Sequence, residues 1–216
     1  MKSRLAIFDF DNTLINFQSA DRFVNFVYQR NKTLRGRIIS ILHPILRNLK
    51  LLPGSRNKKW QLKKLFGVHI DILDTLSKEY YDIEIKSNFN NQVVEKLIEH
   101  KKKDDFIILI SGSYNVYLKH FCNEFKIDYL ISTKILIDKK NCKGKIDGID
   151  CMGLNKLIML NDFLEKNKFD MSNSSFYTDH HSDIYIYPLI KNFILIDYGQ
   201  NNDWAKNINH KKIKIS

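Results

Sequence analysis

Arg4-Leu5-Ala6-Ile7-Phe8-Asp9-Phe10-Asp11-Asn12-Thr13-Leu14 is the stretch that decides the fold. Arg4 to Phe10 is short, apolar and stopped by Asp-Asn, which predicts a buried strand. Two carboxylates, Asp9 and Asp11, stand at i and i+2 at its end. The same arrangement recurs downstream. Phe106 to Ile110 (FIILI) is a fully apolar strand stopping at Ser111-Gly112-Ser113, and Ser174 to Thr178 is a strand stopping at Asp179. Phe193 to Ile196 (FILI) is a last strand. Helical spacing covers Asn91 to Lys101, residues 114–125 and Leu154 to Lys166; short strands are predicted near 128–131 and 133–138, and Gly144 to Gly148 suggests a turn or small hairpin. Apolar strands separated by helices predict an α/β fold, a Rossmann-like parallel sheet with helices on both faces. Ligands of such sheets bind at the carboxyl ends of the strands. Asp9 and Asp11, Ser111 to Ser113, and Asp179 and Asp183 should therefore converge on one crevice.

The alternation is interrupted from about residue 16 to 88. Ser19 to Gln29 has helical spacing through Phe23, Phe26 and Val27. Leu34 to Leu52 is apolar at 38, 41, 42, 45, 46 and 49 and basic at 35, 37, 47 and 50, an amphipathic helix or pair of helices with a break expected at His43-Pro44. A turn at Pro53-Gly54-Ser55 and helices over 57–66 and 71–86 complete the insert. The predicted division is a core of residues 1–15 and 89–216 and a helical cap, 16–88, over the crevice.

Charge follows the same division. From Arg22 to Ile70 there are twelve Lys and Arg and no Asp or Glu, while the other residues hold 35 − 12 = 23 basic and 24 acidic side chains. A near-neutral body thus carries a strongly basic insert, which attracts phosphorylated substrates, anionic lipid or nucleic acid. The apolar stretch after Met1-Lys2-Ser3 is too short for a signal peptide, and the C-terminus is basic and polar, so a cytoplasmic protein is expected. Cys122, Cys142 and Cys151 are odd in number and lack a zinc-type spacing, which predicts buried or idle thiols.

The strand-end residues suit phosphoryl transfer, which needs an in-line nucleophile, an acid for the leaving oxygen and cations for the equatorial oxygens. Asp9 can attack phosphorus and become an aspartyl-phosphate. Asp11 can protonate the leaving alkoxide and then activate water. A D-x-D pair alone serves equally as a turn or cap; the downstream groups add the weight. The Ser111 hydroxyl and the Gly112 and Ser113 amides can hold phosphate oxygens, or Ser111 can cap the next helix. Lys156 opposes the dipole at the start of its helix, which favours an anionic partner. Asp9, Asp179, Asp183 and the main-chain carbonyl of Asp11 are hard ligands for Mg²⁺. His180 and His181 invite a zinc reading, but adjacent histidines should point apart, and no Cys or third His has suitable spacing.

These motifs together resemble the haloacid dehalogenase superfamily, in its phosphoserine-phosphatase-like branch (subfamily IB). Asp9-Phe10-Asp11-Asn12-Thr13-Leu14 fits the first motif, Ile110-Ser111-Gly112-Ser113 the second, Lys156 the third and Tyr177-Thr178-Asp179-His180-His181-Ser182-Asp183 the fourth. The segment from Lys143 through Gly153 resembles the hairpin that precedes the lysine in this branch. The resemblance implies phosphomonoester hydrolysis with Mg²⁺, Asp9 as nucleophile and Asp11 as general acid/base. By it, Ser111, Gly112 and Lys156 bind phosphate, Asp9, Asp11 and Asp179 hold the metal, and Asp183 supports it. Two departures stand out: Asn12 replaces the usual Gly in a turn whose left-handed angles Asn tolerates, and Tyr185 stands where Pro is common.

Substrate choice should reside in the cap. A small phosphorylated metabolite, such as a sugar phosphate, is the first expectation. A lipid phosphate is the second, since the basic amphipathic stretch around Ile38 to Leu46 can lie on an anionic membrane, and its layout resembles the cap of bacterial phosphatidylglycerophosphatases of this superfamily. The alternative for that apolar face is packing inside the cap. The third is a non-catalytic module binding anions or nucleic acid, although no nucleic-acid motif is visible.

Overall fold

The computed structural model describes residues 4–51 and 54–215. β1 (Arg4–Phe8) alternates its side chains between two cores. Ala6 and Phe8 join a cluster with Val93, Leu97 and Phe121, whereas Leu5 and Ile7 join one with Ile108, Ile110 and Leu160. A strand with two buried faces must be apolar throughout, which is why this run reads without polar alternation.

β1 lies in the middle of a seven-stranded sheet. Its companions are β2 (Phe106–Tyr114), β3 (Tyr129–Asp138), β4 (Asn141–Asp147), β5 (Asp170–Thr178), β6 (Asn192–Asp197) and β7 (Lys211–Lys214), in the order β4-β3-β2-β1-β5-β6-β7. Every pairing is parallel except β3 with β4. The chain builds outward from β1 to β2 and β3, then returns to its other side with β5, β6 and β7. Helices leave opposite faces at such a switch point and open a crevice there. Helices Asn91–Lys102 and Asn115–Phe125 cover the Phe8 face, and Leu154–Leu164 covers the other.

Several boundaries differ from the sequence expectation. β2 does not stop at Ser111 but runs to Tyr114, with a register shift against β3 after Ser111. One strand, β3, replaces the two expected, and Gly144 lies within β4, whose hairpin with β3 is antiparallel. β7 was not foreseen, because Lys211-Lys212-Ile213-Lys214 pairs through its backbone at the sheet edge and needs no apolar face.

The insertion after β1 comprises α1 (Ser19–Arg30), α2 (Leu34–Asn48), α3 (Gly54–Leu62) and α4 (Ile70–Tyr80), followed by tighter and wider turns to Asn88. Residues 1–3, the start of the signal-peptide reading, and Pro53 of the expected turn lie outside the described residues. Gly54 and Ser55 already open α3. Pro44 does not break α2. Proline forfeits one helical bond, and Pro44 is on the exposed side, where water can serve the freed carbonyl.

The two ends of the insertion are pinned together at its base. Ile15 bridges Phe89, and the Asn90 amide donates to the Leu14 carbonyl at 2.9 Å. A second attachment joins the insertion to β4 and the turn before it: Gly67 N to Cys142 O, Cys142 N to Val68 O and Ile70 N to Lys140 O, each 2.8 Å. Gly144 permits this approach, with φ +61° and room for no side chain, since a Cβ would stand 2.9 Å from Lys63 Cα.

Of the two orientations the sequence leaves open for its apolar face, α2 takes the outward one. Gly36, Ile39 and His43 face inward, while Leu34, Ile38, Ile41, Leu42, Ile45 and Leu49 are exposed. Its apolar stripe does not pack inside the insertion.

Candidate active site

The turn after β1 aims two carboxylates at the crevice. Asp9 N donates to Tyr177 O on β5 at 2.9 Å, so the backbone is still in the sheet at Asp9. The chain then folds back, with Leu14 N on Phe10 O at 2.9 Å and Asn12 at φ +51°. The Asn at the expected Gly position therefore adopts the left-handed conformation the turn requires.

Lys156, in the first turn of the helix Leu154–Leu164, is buried between two carboxylates. Its Nζ lies 3.0 Å from Asp9 Oδ1 and 2.8 Å from Asp183 Oδ2. Thr178 Oγ1 donates to the same Asp183 oxygen at 2.7 Å. Thr13 Oγ1 reaches Asp179 Oδ1 at 3.4 Å. Asp11 has its own partners beside this cluster. Its Oδ1 accepts from Ser19 Oγ at 2.5 Å and Ser19 N at 3.2 Å, and its Oδ2 accepts from Ser113 Oγ at 2.7 Å.

All seven sequence-predicted residues are thus near one another, and six of them, with Asp183 buried just behind, line a cavity of about 600 Å³. Gln18, Asp21, Asn57, Lys58 and Lys59 of the insertion form its other wall. Ser111 does not cap the following helix; its Oγ accepts the Ser113 amide at 3.0 Å inside β2. His180 and His181 do not point apart: their rings lie 4.3 Å apart, because the backbone changes from extended to helical between them and His180 Nδ1 turns to Ser182 Oγ at 2.8 Å. Burial pushes the Cys122 and Cys151 thiols up to about 12 and Cys142 up to about 11, which keeps them unreactive.

The electrostatics are unbalanced toward negative charge. Burial raises the Asp9 carboxyl well above its ordinary value; Lys156 opposes this, while Asp183 and Asp179 reinforce it. Burial likewise raises Asp11 against the hydrogen bonds from Ser19 and Ser113. Burial and the Asp183 charge push Asp179 up to about 7. For Lys156, burial works against its charge, but Asp183 and Asp9 together hold it above the usual lysine value. Three clustered acids face one ammonium, and Asp183 Oδ1 is buried with no hydrogen-bond partner. A divalent cation fits that deficit. Among the described residues no three His, Cys, Asp or Glu side chains form a ready metal cage. Mg²⁺ characteristically takes one or two carboxylates and fills its remaining positions with water and phosphate, a demand that Asp9 and Asp179, which both line the cavity, can meet.

Three site features escaped the sequence reading. Ser19 holds Asp11 and is held in turn by Tyr117 OH at 2.6 Å and, through its carbonyl, by Tyr80 OH at 2.9 Å. Lys58 crosses from α3 to the core, pairing with Asp150 and donating to Gly112 O at 2.5 Å and Thr133 Oγ1 at 3.2 Å. Asn57 links His43 of α2, at 2.7 Å, to Asp21 of the cavity wall, at 3.3 Å. The absence of acids around Lys58 was visible, but its partner lies 92 residues away.

Residues 6–186 match the family model of haloacid dehalogenase-like hydrolases. The chain belongs to that family. It is a hydrolase of the haloacid dehalogenase type, and the motifs at Asp9, Ser111, Lys156 and Asp179 fall inside the matched span. No curated protein matches it in sequence. Among solved structures, a protein of unknown function from Bordetella pertussis Tohama I is similar at 19% identity and TM-score 0.83, over 99% of both chains. A phospho-aspartyl intermediate analogue of phosphoserine phosphatase is similar at 13% identity and TM-score 0.64, over 98% of this chain and 94% of that one. A phosphoserine phosphohydrolase-like protein from Francisella tularensis subsp. tularensis SCHU S4 is similar at 15% identity and TM-score 0.64, over 97% and 94%. These likenesses show a fold shared along nearly the whole of the chain.

Proposed function

We propose that this protein is a Mg²⁺-dependent phosphomonoester phosphatase working through an aspartyl-phosphate on Asp9. The observation that carries the reading is the Lys156 ammonium, buried between Asp9 at 3.0 Å and Asp183 at 2.8 Å, at the floor of a cavity that also exposes Ser111 and Gly112. We read residues 16–88 as a cap domain and 1–15 with 89–216 as the catalytic core.

Asp9 attacks phosphorus, forming the Oδ–P bond as the ester P–O bond breaks. Lys156 and Ser111, with the Gly112 amide, hold the phosphoryl oxygens and place phosphorus in line. Asp11 gives its proton to the leaving alkoxide; burial, by favouring the neutral carboxyl, suits it to that step. Ser19 and Ser113 keep its carboxyl oriented. Asp11 then takes a proton from the water that cleaves the acyl phosphate, releasing phosphate and restoring Asp9. Bound Mg²⁺, held by Asp9, Asp179 and the Asp11 carbonyl with Asp183 behind, would neutralise charge on the transferred group.

The cavity volume of about 600 Å³ and its polar wall of Gln18, Asp21, Asn57 and Asn155 suit a small phosphorylated metabolite, such as a sugar phosphate. A lipid phosphate is the second reading, favoured by the exposed apolar face of α2. Among the described residues no helix is long and apolar enough to cross a membrane. The test is hydrolysis of an aryl phosphate with and without Mg²⁺. Asp9→Asn should lower turnover by about a thousandfold or more; unchanged turnover in that variant overturns the mechanism. A screen of sugar, nucleotide, amino-acid and lipid phosphates decides the substrate class.

A further inference from the structure

Singly exposed apolar residues are ordinary on a protein surface, but a contiguous apolar stripe is not. On α2, Leu34, Ile38, Ile41, Leu42, Ile45 and Leu49 form such a stripe, with exposures of 76% at Leu34, 68% at Ile41 and 63% at Leu49. At helical spacing they occupy roughly 100° of the circumference. The inward face carries Gly36, Ile39, Ser40 and His43, with Ile39 its one large apolar side chain, so the helix presents its more apolar side outward. Leu51, just beyond its end, is also exposed.

Charge identifies the occupant. Lys32, Arg35, Arg37, Arg47 and Lys50 are exposed around this stripe, and among the described residues none forms an ion pair. No acidic residue occurs from Arg22 to Ile70. An acid-free cationic rim around an apolar stripe complements a surface with negative headgroups above a hydrocarbon interior. At 15 residues α2 is too short to span that interior and would lie in the interface plane.

We propose that the outer face of α2 docks this protein onto an anionic lipid bilayer, with the stripe in the headgroup boundary and the basic rim on the lipid phosphates. The inference is independent of the catalytic reading. Docking also places the site near the surface, because His43 on the inner side of α2 bonds Asn57, which lines the cavity.

The test is co-sedimentation of the full chain with vesicles of phosphatidylcholine, with and without phosphatidylglycerol. Binding should require phosphatidylglycerol and weaken with added salt. The double variant Ile41→Glu/Ile45→Glu should bind anionic vesicles at least about tenfold more weakly. Both positions are exposed, so its thermal unfolding and its turnover of a soluble aryl phosphate without vesicles should match the parent, separating this result from a failure of the catalytic reading. No binding to anionic vesicles at low salt overturns the proposal. So does equal binding by the double variant, or a parent that sediments as a dimer which the double variant makes monomeric, since a second copy then covers the stripe.

Discussion

The Asp179 carboxyl is held up to about 7, first by burial and then by the neighbouring Asp183 charge, from an ordinary value of 3.8. A raised carboxyl binds more protons in the folded than in the unfolded chain. Its contribution to stability therefore falls as pH rises from about 4 to about 7, and above that the full penalty applies, roughly 2–4 kcal/mol. Asp179→Asn should abolish that slope. Without metal, the variant should be more stable than the parent near pH 8 and similar near pH 4, and it should gain less from added Mg²⁺. Thermal unfolding at the two pH values, with chelator and with Mg²⁺, reads both effects; a variant less stable than the parent at pH 8 in chelator contradicts the assignment. Residues of this kind are legible in the sequence because Asp9, Asp11, Ser111 and Asp179 each come at the end of an apolar run, although β2 continues past Ser111. Ser19, Lys58 and Asp150 are not, because their partners are brought to them only by the folded insertion, and no local spacing announces a contact between residues far apart in the chain.

Between elements, the joint of insertion and hairpin depends on Gly144 and Lys58. A side chain at Gly144 would meet Lys63 Cα at 2.9 Å and is disfavoured at φ +61°. Gly144→Ala should cost about 1–3 kcal/mol in denaturant unfolding and speed hydrogen exchange at the Gly67 and Ile70 amides, which bond to that hairpin. Lys58→Met should cost roughly 3 kcal/mol, because the Asp150 carboxylate is left largely buried without its cation. Lys58→Met with Asp150→Asn should recover part of that loss, and a double-mutant cycle measures the coupling. Elements whose cause is local were readable: β1, β6 and the helices around Phe23, Val93 and Leu160 follow from apolar periodicity. β7 and the continuation of β2 through Ser113 follow from partners across the sheet. The direction of α2 could not be read at all, since an amphipathic period is the same whichever face turns inward.

At the scale of the whole chain, the insertion is tied to the sheet twice, at Ile15–Phe89 and again along residues 67–70. It should not melt independently. The two tryptophans report on the two parts, Trp60 from α3 and Trp204 from the sheet side. Single-tryptophan variants, Trp60→Phe and Trp204→Phe, should show coincident denaturant transitions by fluorescence; separated midpoints would mean the attachment along β4 is weak.

The bonds from Gly67, Val68 and Ile70 also do something for the sheet itself. β4 is its outermost strand on that side, and these residues occupy backbone groups that would otherwise face outward. On the far side, β7 carries lysines at 211, 212 and 214. An open strand is a template on which another chain can add, and lysines or a covering segment discourage that. Each border of this sheet thus carries one such device, the covering segment at Cys142 of β4 and the lysines of β7.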